Sequence, residues 1–71
     1  MPLPKEVLEV IASNIEQAQL TVDDLEDIVR DARLSGMDVS RWEKEIDDIK
    51  TRIRQQKIFY ERQRVKSEGR V

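Results

Sequence analysis

The stretch LSGMDVSRWE, at positions 34–43, separates two long segments that both have helical patterns. Gly36 can adopt the left-handed backbone conformation that ends a helix, because it has no Cβ atom to clash. Ser40 and Glu43 have the spacing of a capping box, in which each side chain bonds to the backbone N–H of the other residue. Asp38 is an alternative cap for the same helix. The stretch therefore predicts a short turn that brings two helices together in antiparallel orientation.

Before this turn, small or apolar residues recur at alternating intervals of three and four. These positions are Leu8, Ile11, Ile15, Ala18, Val22, Leu25, Val29 and Ala32. Most of the residues between them are charged or polar, as in the seam of a coiled coil.

The same spacing resumes after the turn and then loses its apolar character. The apolar seam positions are Val39, Trp42, Ile46, Ile49 and Ile53, and the next ones are Gln56, Tyr60 and Gln63. The pattern predicts an all-α fold, an antiparallel two-helix coiled-coil hairpin with Trp42 packed in its seam. The whole chain, residues 1–71, forms one domain. Its expected parts are a helix over about 4–34, a turn at 35–39, a helix over about 40–66 and a frayed tail at 67–71.

A chain of 71 residues buries a small core, so a fold of this size usually needs additional stabilisation. Without cysteine or histidine, disulfides and the common zinc sites are excluded. Self-association into a four-helix bundle is the remaining source of additional stabilisation. A glutamine buried at position 56 would fix the register of the helices in that bundle. The expected interface residues are Val7, Leu8, Ile11, Ile15, Ile28, Ile58, Phe59 and Tyr60.

Charge is distributed unevenly along the chain. Residues 1–49 contain 5 Lys/Arg and 13 Asp/Glu, whereas residues 50–71 contain 8 Lys/Arg and 2 Asp/Glu. The hairpin would therefore have an acidic loop end and a basic open end. Because like charges repel at short range, two hairpins are expected to pack as an antiparallel dimer with their loops at opposite ends.

The basic residues of the second helix also suggest an alternative function. Arginines lie beside Phe59 and Tyr60, as on many surfaces that bind nucleic acids. There the cations bind phosphate groups and the aromatic rings stack on bases. The candidate residues for binding a polyanion are Arg54, Lys57, Arg62, Arg64 and Lys66. The expected shape is similar to that of the small RNA-binding helical hairpins that regulate plasmid copy number. The similarity is one of architecture only, because the two share no residue motif. A solvated helix face paired with acidic neighbours is the interpretation we favour.

No catalytic motif is present in the sequence. Nucleophilic triads, thiol chemistry and imidazole bases need His or Cys, and two glycines do not make a phosphate-binding loop. The acidic run at 23–27 has the pattern of a solvated helix face rather than of a magnesium site. We therefore expect a protein that is not an enzyme and has no cofactor or metal.

The favoured function is a self-associating protein-interaction or assembly module, with a helical protein as a further partner. The alternative is a small nucleic-acid-binding regulator.

No apolar run is long enough to cross a bilayer, and the first residues do not resemble a signal peptide. Together with the absence of cysteine, this pattern predicts a cytoplasmic protein without membrane contact.

Overall fold

The structure, a computed structural model, describes residues 3–68 and contains two long helices. Helix α1 spans Lys5–Leu34 and helix α2 spans Ser40–Ser67. Most of the tail that was expected to fray, residues 69–71, lies outside the described residues.

Ion pairs between the helices establish their relative direction. Glu26 pairs with Lys50, whereas Arg33, which lies farther along α1, pairs with Glu43, which lies nearer the start of α2. The two helices are therefore antiparallel, and the predicted all-α hairpin is confirmed.

The end of α1 has the hydrogen bonds of a Schellman motif. Gly36 has a φ of 89°, and its N–H donates to the carbonyl oxygen of Arg33 at 3.0 Å. The N–H of Met37 donates to the carbonyl oxygen of Ala32, also at 3.0 Å. These bonds satisfy two carbonyl groups that the end of a helix leaves without partners. Gly36 thus stops α1 where the sequence predicts.

Replacing Gly36 tests this turn. No atom lies within 4 Å of a Cβ atom built there, so the cost of a side chain is backbone strain alone. We expect Gly36→Ala to lower the free energy of unfolding by about 1–2 kcal/mol, and Gly36→Val by at least as much. Gly36→Asn is the control with a smaller loss, because Asn tolerates positive φ. Thermal melts followed by circular dichroism measure the effect, and an unchanged melt of Gly36→Val would contradict it.

The start of α2 differs from the predicted capping box. Ser40 lies inside the helix, and Asp38 accepts hydrogen bonds through Oδ1 from the Ser40 N–H at 3.1 Å and the Ser40 hydroxyl at 2.6 Å. Glu43 pairs with Arg33 across the turn. A carboxylate is a stronger acceptor than a hydroxyl, and the ion pair holds Glu43 away from the backbone. The N-cap residue is therefore Val39, which makes no side-chain capping bond, and Asp38 binds the N–H of Ser40 at the first position of the helix.

This arrangement predicts a pH dependence of stability. The hydroxyl and N–H of Ser40 lower the pKa of Asp38 below its ordinary value of 3.8. When folding lowers the pKa of a carboxyl group, the group contributes fully to the stability of the fold at pH values above its ordinary pKa. That contribution is lost as the pH falls through the lowered pKa. We expect Asp38→Ala to melt below the parent at pH 7, and the difference to shrink below pH 3.8. Ser40→Ala, which keeps the N–H bond, should have a smaller effect. A difference that is constant with pH would exclude this role of Asp38.

Burial in the hairpin follows a seven-residue period. One row of seam positions is buried and consists of Leu8, Ile15, Val22, Val29, Val39, Ile46 and Ile53. The alternate row is only partly buried at Ile11, Ala18, Leu25 and Ile49, and Ala32 beside the turn is its one buried member within residues 3–68. Each helix has a single neighbour, so one row points at that neighbour and the other lies at the edge of the contact. Within the single chain, half of the seam is left at the surface.

One seam expectation is corrected by this geometry, and the burial of Gln56 in a bundle stays a prediction. Trp42 belongs to the alternate row and is 40% exposed, not packed in the seam. Gln56 belongs to the same row and is exposed, so the single hairpin does not bury it. Both side chains would be buried only if a second pair of helices packed on this side of the hairpin.

Candidate interaction surface

The two long sides of the hairpin differ in chemistry. On the first, which we call the ionic side, charged residues of the two helices meet across the seam. Lys50 Nζ lies 2.7 Å from Glu26 Oε2, and Arg33 pairs with Glu43. Arg30 and other charged residues line the same groove. Exposed pairs contribute about 0–1 kcal/mol each, so these pairs add little to the stability of the hairpin.

On the opposite side, the groove near the turn is apolar. Four large side chains line it with almost no polar surface, and we call them the socket: Leu25, Ile28, Trp42 and Ile49. Ile28 is 60% exposed, and the groove measures about 290 Å³. This volume is at the lower limit for small-molecule sites, which enclose roughly 300–1,000 Å³. The socket is therefore better suited to a side chain than to a small molecule.

The apolar surface continues toward the open end of the hairpin. Ile11, Asn14 and Phe59 line a second groove on this side, and Phe59 is 48% exposed. Val7 lies one heptad before Asn14 and is also exposed. We call the socket together with these three apolar residues, Val7, Ile11 and Phe59, the apolar strip.

The other predicted interface residues have different positions. Leu8 and Ile15 are buried inside the single hairpin and support the strip from beneath. Tyr60 is partly buried against the core. Ile58 is exposed on the outer side of α2, where it borders a shallow groove that it shares with Phe59.

Sequence reasoning missed Leu25, Trp42 and Ile49 as surface residues. A signal for them was present in the residues that flank the seam. One flanking row has charged residues such as Glu26 and Lys50, whereas the other has Val7, Ile28 and Phe59. Because flanking rows lie on opposite sides of an antiparallel pair, this asymmetry indicates which side is left apolar.

The predicted polyanion-binding residues do not form one cluster. At about 100° per residue, Arg54, Lys57 and Arg64 lie along one ridge of α2, toward the ionic side. Arg62 and Lys66 lie along another ridge, beside Phe59. The basic residues are therefore divided between two sides of the helix.

Arg64 is also engaged by carboxylates. Its guanidinium donates hydrogen bonds at 2.9 Å to Glu61 and at 2.9 Å to Glu68. The hydrogen bond from Arg64 lowers the pKa of Glu61, and the same contact with Glu61 raises the pKa of Arg64. Among residues 3–68, Arg54, Lys57, Arg62 and Lys66 have no ion pair.

Within residues 3–68, His, Cys, Asp and Glu do not form a group of three or more arranged to hold a metal ion. Neither α1 nor α2 has an apolar stretch sufficient to span a bilayer.

Comparison with known proteins gave no match. No family model, no curated protein and no solved structure matches the chain.

Proposed function

We propose that this chain is a non-enzymatic module that self-associates through the apolar strip. The observation that supports the proposal is the pair of apolar grooves on one side of the hairpin, where Ile28 is 60% exposed and Phe59 is 48% exposed. The opposite side has ion pairs between the helices. Exposed apolar grooves of this kind usually mark an interaction site. The strip is the surface through which the module would assemble.

A second copy of the chain is the simplest cover for the strip. Packing two hairpins strip to strip makes a four-helix bundle, in which the alternate seam row becomes part of a common core. One long face of the hairpin measures 53 by 16 Å. That face is large enough for the roughly 800 Å² per partner of a standard interface.

The test is the size of the protein in solution as a function of its concentration. We expect sedimentation equilibrium to show a dimer, and the melting temperature to rise with protein concentration, because mass action favours the folded assembly. A fully helical monomer at millimolar concentration, with a melt independent of concentration, would overturn the proposal. A helical partner other than a second copy would then be sought for the same strip.

Binding of nucleic acid is the second candidate function. It is favoured by the exposed ridge on which Arg62 and Lys66 flank Phe59. Because binding to phosphates releases counterions, affinity for RNA or DNA should fall steeply as salt is raised. Arg62→Gln/Lys66→Gln would reduce that affinity, while Arg54→Gln/Lys57→Gln on the other ridge is the matched control. Equal losses in both variants would indicate nonspecific attraction rather than a site on this ridge.

A further inference from the structure

The two ends of the apolar strip have opposite charge at their edges. Asp24 and Asp31 flank Ile28 along α1, four residues before it and three after it. Glu45 lines the socket itself and forms a weak, exposed ion pair with Arg41 at 3.6 Å. The socket therefore has a predominantly acidic border.

At the open end, Phe59 has a basic border. Arg62 and Lys66 line the same groove as Phe59, and both are exposed. Neither has an ion pair within residues 3–68. An apolar residue with cations beside it thus lies at one end of the strip, and an apolar socket with carboxylates beside it lies at the other.

We infer that Phe59 of one hairpin docks against Trp42 and Ile49 in the socket of a second copy, with the two loops at opposite ends. This inference rests on the proposed self-association and specifies its contacts. A two-fold axis perpendicular to the helices stacks α2 on α2 of the second copy in antiparallel direction, so the contact forms twice. Arg62 of each copy then comes to the level of Glu45 in the other.

The spacing along α2 agrees with this arrangement. The centre of the socket is near Ile46, thirteen residues before Phe59, which is about 20 Å at 1.5 Å per residue. The two-fold axis would therefore cross the hairpin near Thr21 and Ile53, about midway along the structure. With the loops together instead, the strips would meet with α2 stacked on α1 of the second copy, and Glu45 would come to the level of Asp31 at the acidic border of the other socket, which costs energy through like-charge repulsion.

Disulfide trapping distinguishes the two packings, since the chain has no cysteine of its own. Glu45→Cys and Arg62→Cys are made as separate variants, mixed, and equilibrated in a glutathione buffer. We expect the mixed 45–62 disulfide to dominate, and each variant alone to form little disulfide dimer. Asp47→Cys with Glu61→Cys, on ridges away from the strip, is the matched control pair and should show no preference.

The outcomes separate this inference from the proposed function. A dimer in which the mixed 45–62 disulfide forms no more readily than the 45–45 and 62–62 disulfides would overturn the antiparallel contact while leaving self-association intact. A chain that stays monomeric overturns both.

A second measurement uses Trp42, the single tryptophan of the chain. Docking of Phe59 should bury Trp42, so its emission should shift to shorter wavelength as concentration rises. Phe59→Ala should abolish the shift and raise the dimer dissociation constant at least about tenfold, the effect expected of an aromatic residue at an interface. Leu20→Ala, an equally exposed position on the outer side of α1, should leave both unchanged. A shift that persists in Phe59→Ala would exclude Phe59 as the docking residue.

Discussion

Val22→Asp is expected to abolish the cooperative unfolding transition of this protein. Val22 is the one large side chain that is fully buried in the described residues, at 0% exposure. A buried carboxylate without a partner costs several kcal/mol. At roughly 0.05–0.15 kcal/mol per residue, a chain of this length has only about 4–11 kcal/mol of stability. The charge is therefore expected to unfold the hairpin, and circular dichroism should show the loss of helix.

Leu20→Asp is the matched control for this change. Leu20 lies two residues earlier in the same helix and is 51% exposed, so the new carboxylate stays in water. Its effect should be within about 0.5 kcal/mol of the parent. Acid should partly restore the helix of Val22→Asp, because protonation removes the buried charge. If the two variants melted alike, the buried row would not be the core of the hairpin.

Ile28→Glu should have the largest effect on assembly. Ile28 is exposed in the single hairpin but lies in the socket, so a glutamate there is tolerated by the monomer and desolvated in the dimer. We expect the dimer dissociation constant to rise at least about 30-fold, which corresponds to the roughly 2 kcal/mol of an interface hot spot. Sedimentation equilibrium measures this change, and the helix content of the monomer at low concentration should be unaffected.

Leu34→Glu provides the comparison for Ile28→Glu. Leu34 lies near the end of the same helix, is 81% exposed and is not part of the apolar strip. The two variants have the same net charge, so a difference between them reflects position. Leu34→Glu should leave the dissociation constant within about twofold of the parent. An equal loss of dimer in both variants would point to overall charge and not to the socket.

Local sequence was sufficient to predict the hairpin. The seam residues recur at intervals that suit a helix with one apolar face. Gly36 can adopt the positive φ at which a helix ends. Both signals depend on residues close together in the chain. For that reason the two helices and their antiparallel direction could be predicted without knowledge of any distant contact.

The sequence also contained the difference between the two sides of the hairpin. Glu26 and Lys50 are adjacent to the seam on one side, and Ile28 and Phe59 on the other. The asymmetry is visible in the order of residues. Which side becomes an exposed apolar surface depends on how each helix is rotated about its own axis. That rotation decides which of the two seam rows is buried, and it follows from the packing of the two helices against each other.

The tertiary structure decided two features that local patterns left open. It turned one seam row inward and left Trp42 and Gln56 in the row that faces outward. It replaced the predicted capping box at the start of α2 with bonds from Ser40 to Asp38 and an ion pair between Glu43 and Arg33. Each outcome depends on the rotation and separation of two helices, and these follow from packing and from contacts between residues distant in sequence, which a periodic pattern along one helix does not contain.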